Sequence, residues 1–421
     1  MKIVELLRTR RFFPYFVVQA FGALNDNLYK NILLLFIAFF LPSTSTADAS
    51  LLVNLAAGLF ILPFFIFSGH AGWLADKHNK VWLIRRLKLV EIALMLAAAI
   101  SLYFEYLTLL FALLFFMGVQ SAYFGPVKYA ILPDSLPRSD LLAANSLVEM
   151  GTFVAILSGT LLAGVIMAFD GALIIASVAI VMFAVFGWLA AINIPKVTNL
   201  NIEKRQTVER LGFWQASKNA LAIVGKDKSL LSCVLLISWF WFIGASVLTQ
   251  LPNLVKVYLS DSPAYVSLLL AVFSIAVGVG SLLSQKLTKG FIKLDFVAPS
   301  AIILALALIA MVFLSVVPFS ANVTTLIVCI LLAILGCAGG VFIVPLYTYL
   351  QVQVCSSERA QVIAANNIFN AIYMVASAVL AIVLLALVAL PLGGYFAVLG
   401  CCTLVYVYLM MAQWSKHEIL S

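Results

Sequence analysis

Long apolar runs separated by short polar turns make up most of the chain. A helix needs about 20 apolar residues to cross a bilayer. Twelve runs approach that length, at 14–40, 51–70, 85–104, 107–126, 143–168, 171–193, 229–251, 264–285, 296–318, 324–350, 360–388 and 393–413. Their length and lack of alternating polarity predict helices rather than barrel strands. Lys2, Arg8, Arg10 and Arg11 precede the first run and imitate a secretion signal. That run is too long for a signal's apolar core and eleven more follow, so it is read as a span.

The polar positions organise these spans. The longest polar stretch, opening "PKVTNLNIEKRQTVERLGFWQ", divides them six and six. It predicts an N-terminal bundle over 1–194, a cytoplasmic linker with an amphipathic surface helix over 195–228, and a C-terminal bundle over 229–421. Lysines and arginines gather in alternate loops: at the N-terminus, from Lys77 to Lys88, at Lys128 and Arg138, from Lys196 to Lys228, from Lys286 to Lys293, at Arg359 and at Lys416. The opposite loops hold Asp48, Glu105, Asp170 and Asp261, with Lys256 as their one base. Basic loops stay in the cytoplasm, so both termini are expected inside. Cysteines substituted at Ser45 and Asp261 should then react with a periplasmic reagent, and those at Lys204 and Lys289 should not; reaction at Lys204 would overturn the orientation.

Composition agrees with this pattern. The chain is 64% hydrophobic and 10% charged, against about one-quarter charged for a soluble domain. The net charge of +8 follows the loop asymmetry and points to membrane topology, not nucleic acid. Six cysteines show neither metal-ligand spacing nor a secreted disulfide pattern. No metal site or cofactor is expected. His-Glu-x-x-His, Gly-x-Ser-x-Gly and phosphate-loop motifs are absent, which argues against an enzyme.

The two halves echo each other. "FFMGVQSAYFGPVKYAILP" in span 4 parallels "AILGCAGGVFIVPLYTYLQ" in span 10, and "LAANSLVEMGTF" in span 5 parallels "IAANNIFNAIYM" in span 11. Asn145 thereby matches Asn366, and Glu149 matches Asn370. Repeated six-span halves of the same orientation imply a pseudo-two-fold axis along the membrane normal, as in major facilitator transporters. The loop "GWLADKHNKVWLIRR" resembles that superfamily's signature Gly-x-x-x-Asp-Arg/Lys-x-Gly-Arg-Arg/Lys, with Gly72, Asp76, Lys77 and Lys80 in place. The resemblance implies that these residues latch a cytoplasmic gate. Asn79 replaces the expected glycine, a tolerable change if the position needs left-handed geometry.

Acids inside the spans are Asp26, Glu91 and Glu149. A charge at membrane depth costs roughly 2.5–3.5 kcal/mol, so it faces a partner or a cavity. Glu91 lies one turn beyond Lys88 and is read as a structural ion pair. Asp26 falls about 18 Å into a helix starting near Pro14, close to the midplane. Lys30 shares its face at i+4, with Asn25, Asn27 and Asn31 around them. Either the pair neutralises itself for insertion, or it serves a ligand of both signs together with Lys128 and Glu149.

"GALNDN", "FGPVKYAIL", "LLAANSLVE" and "GGVFIVPL" resemble the bacterial lysophospholipid transporters, a branch of the major facilitator superfamily, over essentially the whole chain. The resemblance implies a fold of twelve transmembrane helices in a Gram-negative inner membrane. It also implies a monomeric flippase carrying lysophospholipids, chiefly lysophosphatidylethanolamine, to the cytoplasmic leaflet. There an acyltransferase/acyl-carrier-protein synthetase would reacylate them. Asp26 matches the acid of the family's Asp-Asn motif, Lys128 the lysine of its Pro-x-Lys-Tyr motif, and Glu149 the acid after Ala-Asn. The candidate binding set is therefore Asn25, Asp26, Asn27, Lys30, Lys128, Asn145, Glu149, Asn366 and Asn370. Span 7 departs from the family, because "ASVLTQLPNLVKVY" offers Gln250 and Asn253 where an arginine is expected. The rival reading is a proton-coupled exporter of drugs or small metabolites, with Asp26 or Glu149 as its proton site.

Overall fold

The computed structural model describes residues 3–39, 46–196, 211–259, 262–317 and 320–418, and every regular element among them is helical. Ser45, Lys204, Asp261 and linker positions 197–210 lie outside the described residues, whereas Lys289 is exposed beside a turn. The long helices are α1 (Phe13–Phe39), α2 (Thr46–Lys77), α3 (Lys80–Tyr103), α4 (Leu107–Ala130), α5 (Leu141–Ile166), α6 (Ala172–Ile192), α7 (Lys228–Tyr258), α8 (Pro263–Leu287), α9 (Val297–Ala310), α10 (Ala321–Val352), α11 (Arg359–Ala381) and α12 (Leu392–Glu418). A linker helix, Phe213–Lys226, precedes α7.

Ten helices among the described residues are long and apolar enough to cross a membrane. The other two long ones are α1 and α3, whose charges, and in α1 also amides, lower their apolarity. The run expected over 296–318 is interrupted, since α9 ends at Ala310 and a short helix, Phe313–Val316, follows. Pro14 stands in the first turn of α1, where its missing N–H leaves no intrahelical bond unmade. Prolines stand inside α2, α4, α7 and α10, which membrane helices tolerate where the freed carbonyls find other partners.

Asn79 has a different role from the one its place in the signature suggested. Its backbone is extended, φ −65° and ψ 120°, and its side chain accepts a hydrogen bond from the Trp82 N–H. It is the N-cap of α3, so no left-handed turn is needed there. Arg85, on the next turns of α3, donates to the carbonyls of Ala191, Ile192 and Ile194 at 2.9–3.2 Å. A guanidinium thus covers the orphan carbonyls at the end of α6.

The chain forms two compact units. The first contains residues up to Pro137 together with Val154–Leu221 and Val354–Ile368; the second contains Arg138–Phe153, Ala222–Gln353 and the residues from Phe369 onward. These units differ from the sequence halves in two places. The first part of α5 belongs to the second unit, and the first part of α11 belongs to the first.

In the first unit, Leu28, Tyr29, Ile32 and Phe36 of α1 are fully buried, and the Tyr29 hydroxyl donates to the Leu110 carbonyl of α4 at 2.8 Å. The sequence echo has a packing basis here. A side-chain carbon on Gly118 of α4 would stand 2.7 Å from the Phe60 carbonyl of α2. In the second unit, one on Gly336 of α10 would stand 2.7 Å from the Phe273 carbonyl of α8. Both glycines hold the fourth position of their echoed segments, and each lets its helix meet its neighbour backbone to backbone.

Candidate functional site

The polar face of α1 divides in two. Asn25 is fully buried and donates from Nδ2 to Glu91 Oε1 at 3.3 Å. Glu91 Oε2 accepts the Lys88 ammonium at 2.6 Å and Gln120 Nε2 at 3.3 Å. Lys88 and Glu91 are each 1% exposed, and the ammonium lies 5.2 Å from the Phe124 ring centre. This is the structural pair read from the sequence, completed by two amide donors. Breaking a buried pair leaves an uncompensated charge, worth roughly 3–5 kcal/mol, whereas an apolar pair of similar volume is often neutral. Lys88→Met and Glu91→Leu are each expected to lower the detergent melting temperature strongly, and the double variant much less. Additive losses would overturn that reading.

Asp26, Asn27, Lys30 and Asn31 are half-buried and hold the other part of the face. Asp26 Oδ2 accepts the Ser121 hydroxyl of α4 at 2.6 Å, and Ser121 also donates to Gln120 Oε1 at 3.3 Å. Lys30 Nζ donates to Asn27 Oδ1 at 3.1 Å and lies 5.8 Å from the Phe60 ring centre. Asn27 Nδ2 donates to the Ala23 carbonyl at 2.8 Å. Asn31 Nδ2 donates to the Asn27 carbonyl at 2.7 Å and to Thr160 Oγ1 of α5 at 3.1 Å. Acid and base therefore have separate hydrogen-bond partners, and no direct ion pair joins them among the described residues, although their opposite charges still act on each other.

Lys128 is half-buried on α4, seven residues beyond Ser121. Seven residues are two turns, so it shares the Ser121 face about 10 Å further along the helix. Its carbonyl accepts the Tyr15 hydroxyl at 2.6 Å, which ties the start of α1 to this end of α4.

The other amides divide between the units. In the second, Asn145 exchanges hydrogen bonds with Gln351, Nδ2 to Oε1 at 2.8 Å and Nε2 to Oδ1 at 2.9 Å, and its Nδ2 also lies 3.1 Å from Thr348 Oγ1. These bonds join α5 to α10. Asn370 Oδ1 accepts the Ser238 hydroxyl of α7 at 2.9 Å. Glu149 is buried on α5. Gln250 and Asn253, standing where an arginine was expected, bond to each other at 2.8 Å. In the first unit, Asn366 is fully buried, and neither of its amide atoms has a hydrogen-bond partner among the described residues.

The signature residues meet at the start of α11. Asp76 is fully buried at the end of α2, and its two oxygens accept the backbone N–H groups of Ala360 and Gln361, both at 3.0 Å. A carboxylate here satisfies orphan donors and complements the helix dipole. A side-chain carbon on Gly72 would lie 2.6 Å from the Ala360 carbonyl, so the glycine permits the approach. Lys80 Nζ reaches Asp134 Oδ2 at 2.8 Å, and Arg359 Nη1 reaches Asp134 Oδ1 at 3.0 Å. Lys77 points elsewhere, with its ammonium 4.8 Å from the Trp73 ring centre.

Sequence reasoning did not single out Ser121, Gln120, Asp134 and Arg359 as partners in these sites. The adjacent polar pair inside the apolar run "FFMGVQSAYF" was a signal for the first two. Asp134 and Arg359 are 225 positions apart, and nothing local connects them.

The sequence model described as Major Facilitator Superfamily matches residues 15–378. Among curated proteins, Lysophospholipid transporter LplT of Photorhabdus laumondii is 28% identical over 360 residues, covering 83% of this chain and 82% of its own length. The protein of the same name from Escherichia coli O1:K1 is 27% identical over 300 residues, covering 70% and 69%. Among solved structures, the human organic anion transporter MFSD10 superposes with a TM-score of 0.77 at 14% identity, over 95% of this chain and 99% of that one. FucP in its outward conformation gives 0.71 at 14% identity, over 96% and 99%.

Proposed function

The chain belongs to the Major Facilitator Superfamily, and from that premise we propose that it is a lysophospholipid transporter and not an enzyme. All twelve long helices cross the bacterial inner membrane, both termini are cytoplasmic, and alternating access moves the lipid to the cytoplasmic leaflet. There an acyltransferase/acyl-carrier-protein synthetase reacylates it. The observation that carries this reading is the separate holding of Asp26 and Lys30 on the half-buried face of α1. A zwitterionic head offers an ammonium to the carboxylate and a phosphate to the lysine. Asn27 and Asn31 supply polar groups that offset desolvation of the head at depth. Lys128, two turns along α4, is the next cation a phosphate would meet. Glu149 and Asn370, both in the second unit, are further candidates with smaller effects. Names of the curated relatives support the substrate class.

Asp76, Gly72 and Lys80, with Asp134 and Arg359, form the cytoplasmic gate in its latched state, and Lys77 remains outside it.

The test is competition. Uptake of labelled lysophosphatidylethanolamine into proteoliposomes should fall with unlabelled lysolipids, and much less with diacyl lipid, whose second chain adds bulk. Drug-like cations without a phosphate should compete poorly. If cations compete and lysolipids do not, the protein is an exporter of small cations and the lipid reading fails.

A further inference from the structure

The linker helix carries chemistry that transport leaves unused. One side of it is docked within the first unit. Ala216 and Ala220 are fully buried, and the Phe213 ring stacks on His70 at 5.4 Å and meets Phe67 edge-on at 5.5 Å. Gly69 of α2 faces Ser217 so closely that a side-chain carbon there would collide with it. Asn219 Nδ2 donates to Gln361 Oε1 of α11 at 2.8 Å. The opposite side is bare: Trp214 is 64% exposed, and Gln215, Lys218 and Leu221 are exposed with it. The helix has no acid, and its two lysines are Lys218 and Lys226.

Depth decides what covers this bare side. The apolar run of α2 extends from Leu51 to Phe67, roughly 25 Å of helix, close to the hydrocarbon thickness of a bilayer. Gly69 and His70 come just after it, so the linker helix docks at headgroup level. Trp, Leu and Lys without an acid is the composition of a helix lying in an anionic interface.

We propose that Trp214, Lys218 and Leu221 seat the linker helix in the headgroup layer of the cytoplasmic leaflet, with anionic phospholipid as the partner, and that Asn219 ties this seat to the start of α11. Gln361, which accepts from Asn219, also donates its backbone N–H to Asp76. Two hydrogen bonds therefore separate the lipid-facing helix from the gate carboxylate. The side of the membrane rests on the orientation proposed above; the lipid contact does not.

The experiment uses full-length protein with its native cysteines replaced, reconstituted in phosphatidylethanolamine vesicles with and without phosphatidylglycerol. An environment-sensitive fluorophore is placed at Gln215→Cys, at Leu221→Cys or, as an aqueous reference, at Lys289→Cys. Headgroup-level nitroxide lipids should quench the labels at 215 and 221. Iodide, present on both sides, should quench them several-fold less than the label at 289. Lys218→Glu should reduce nitroxide quenching in the phosphatidylglycerol vesicles and slow uptake there, with little change in vesicles lacking that lipid. Iodide quenching at 215 and 221 equal to that at 289, with phosphatidylglycerol present, would overturn the proposal. So would shielding that appears only when a soluble protein is added, which would make this face a protein-docking surface. Quenching does not depend on the transported molecule, so failure of lysolipid uptake would leave the result standing.

Discussion

Asp26→Ala is expected to lower lysophosphatidylethanolamine uptake by about 100-fold, with the yield and melting temperature of the folded protein near wild type. A hydrogen bond or contact to a charged group is worth about 1.5–3 kcal/mol, and the upper end of that range corresponds to roughly two decades of affinity. Stability should change little, because Asp26 is half-buried and its hydrogen-bond partner among the described residues is the Ser121 hydroxyl, itself able to rotate to Gln120. Asp26→Asn keeps the shape and loses the charge, so it should retain less than half the activity. Full activity in Asp26→Asn would mean that no ammonium is read there, and the residue would return to a packing role.

The second large effect is expected at Asp76. Its carboxylate takes two buried backbone N–H groups at the start of α11. Asp76→Ala orphans both donors and removes a charge from a helix N-terminus, together about 2–4 kcal/mol. The latched state should lose that advantage, and uptake should fall at least about tenfold, in proportion to the population lost. Asp76→Asn should resemble the alanine variant, since one amide oxygen serves one N–H and its NH2 group confronts the other. Ala364→Cys, fully buried opposite Gly72, is the reporter. It should resist a membrane-permeant maleimide in the parent protein and react several-fold faster with Asp76→Ala. Unchanged protection alongside lost uptake would sink the latch reading.

Helices were legible because apolar length is a local property. Their number was harder to read, because α1 and α3 mix membrane length with charge. Asp26 stood out as an acid in apolar surroundings, but its partner did not. Ser121 is 95 positions away, and serines in apolar helices commonly bond to their own backbone, as Ser101 does with Ala97. The echoed segments align Gly118 with Gly336, each at a close approach of two helices. They also align Asn145 with Asn366, whose surroundings differ, because the partners of Asn145 have no counterpart. Thr348 and Gln351 end the second echo, where the first has Ala130 and Pro133. Asn79 illustrates the same limit at short range, since one residue type suits both a left-handed turn and a helix cap.

The amide of Asn366, without a hydrogen-bond partner among the described residues, is expected to set stability against turnover. A buried polar group left unsatisfied costs about 1–3 kcal/mol, and this one lies on the segment of α11 that Asp76 and Asp134 hold at its start. If the gate acts as proposed, a motion that wets the segment would relieve that penalty and the amide would favour opening. Asn366→Leu is expected to raise the melting temperature while slowing uptake, with Ala364→Cys even better protected. Such a variant would trap one conformation for structural work, and directed evolution for heat tolerance alone would select it at the expense of speed.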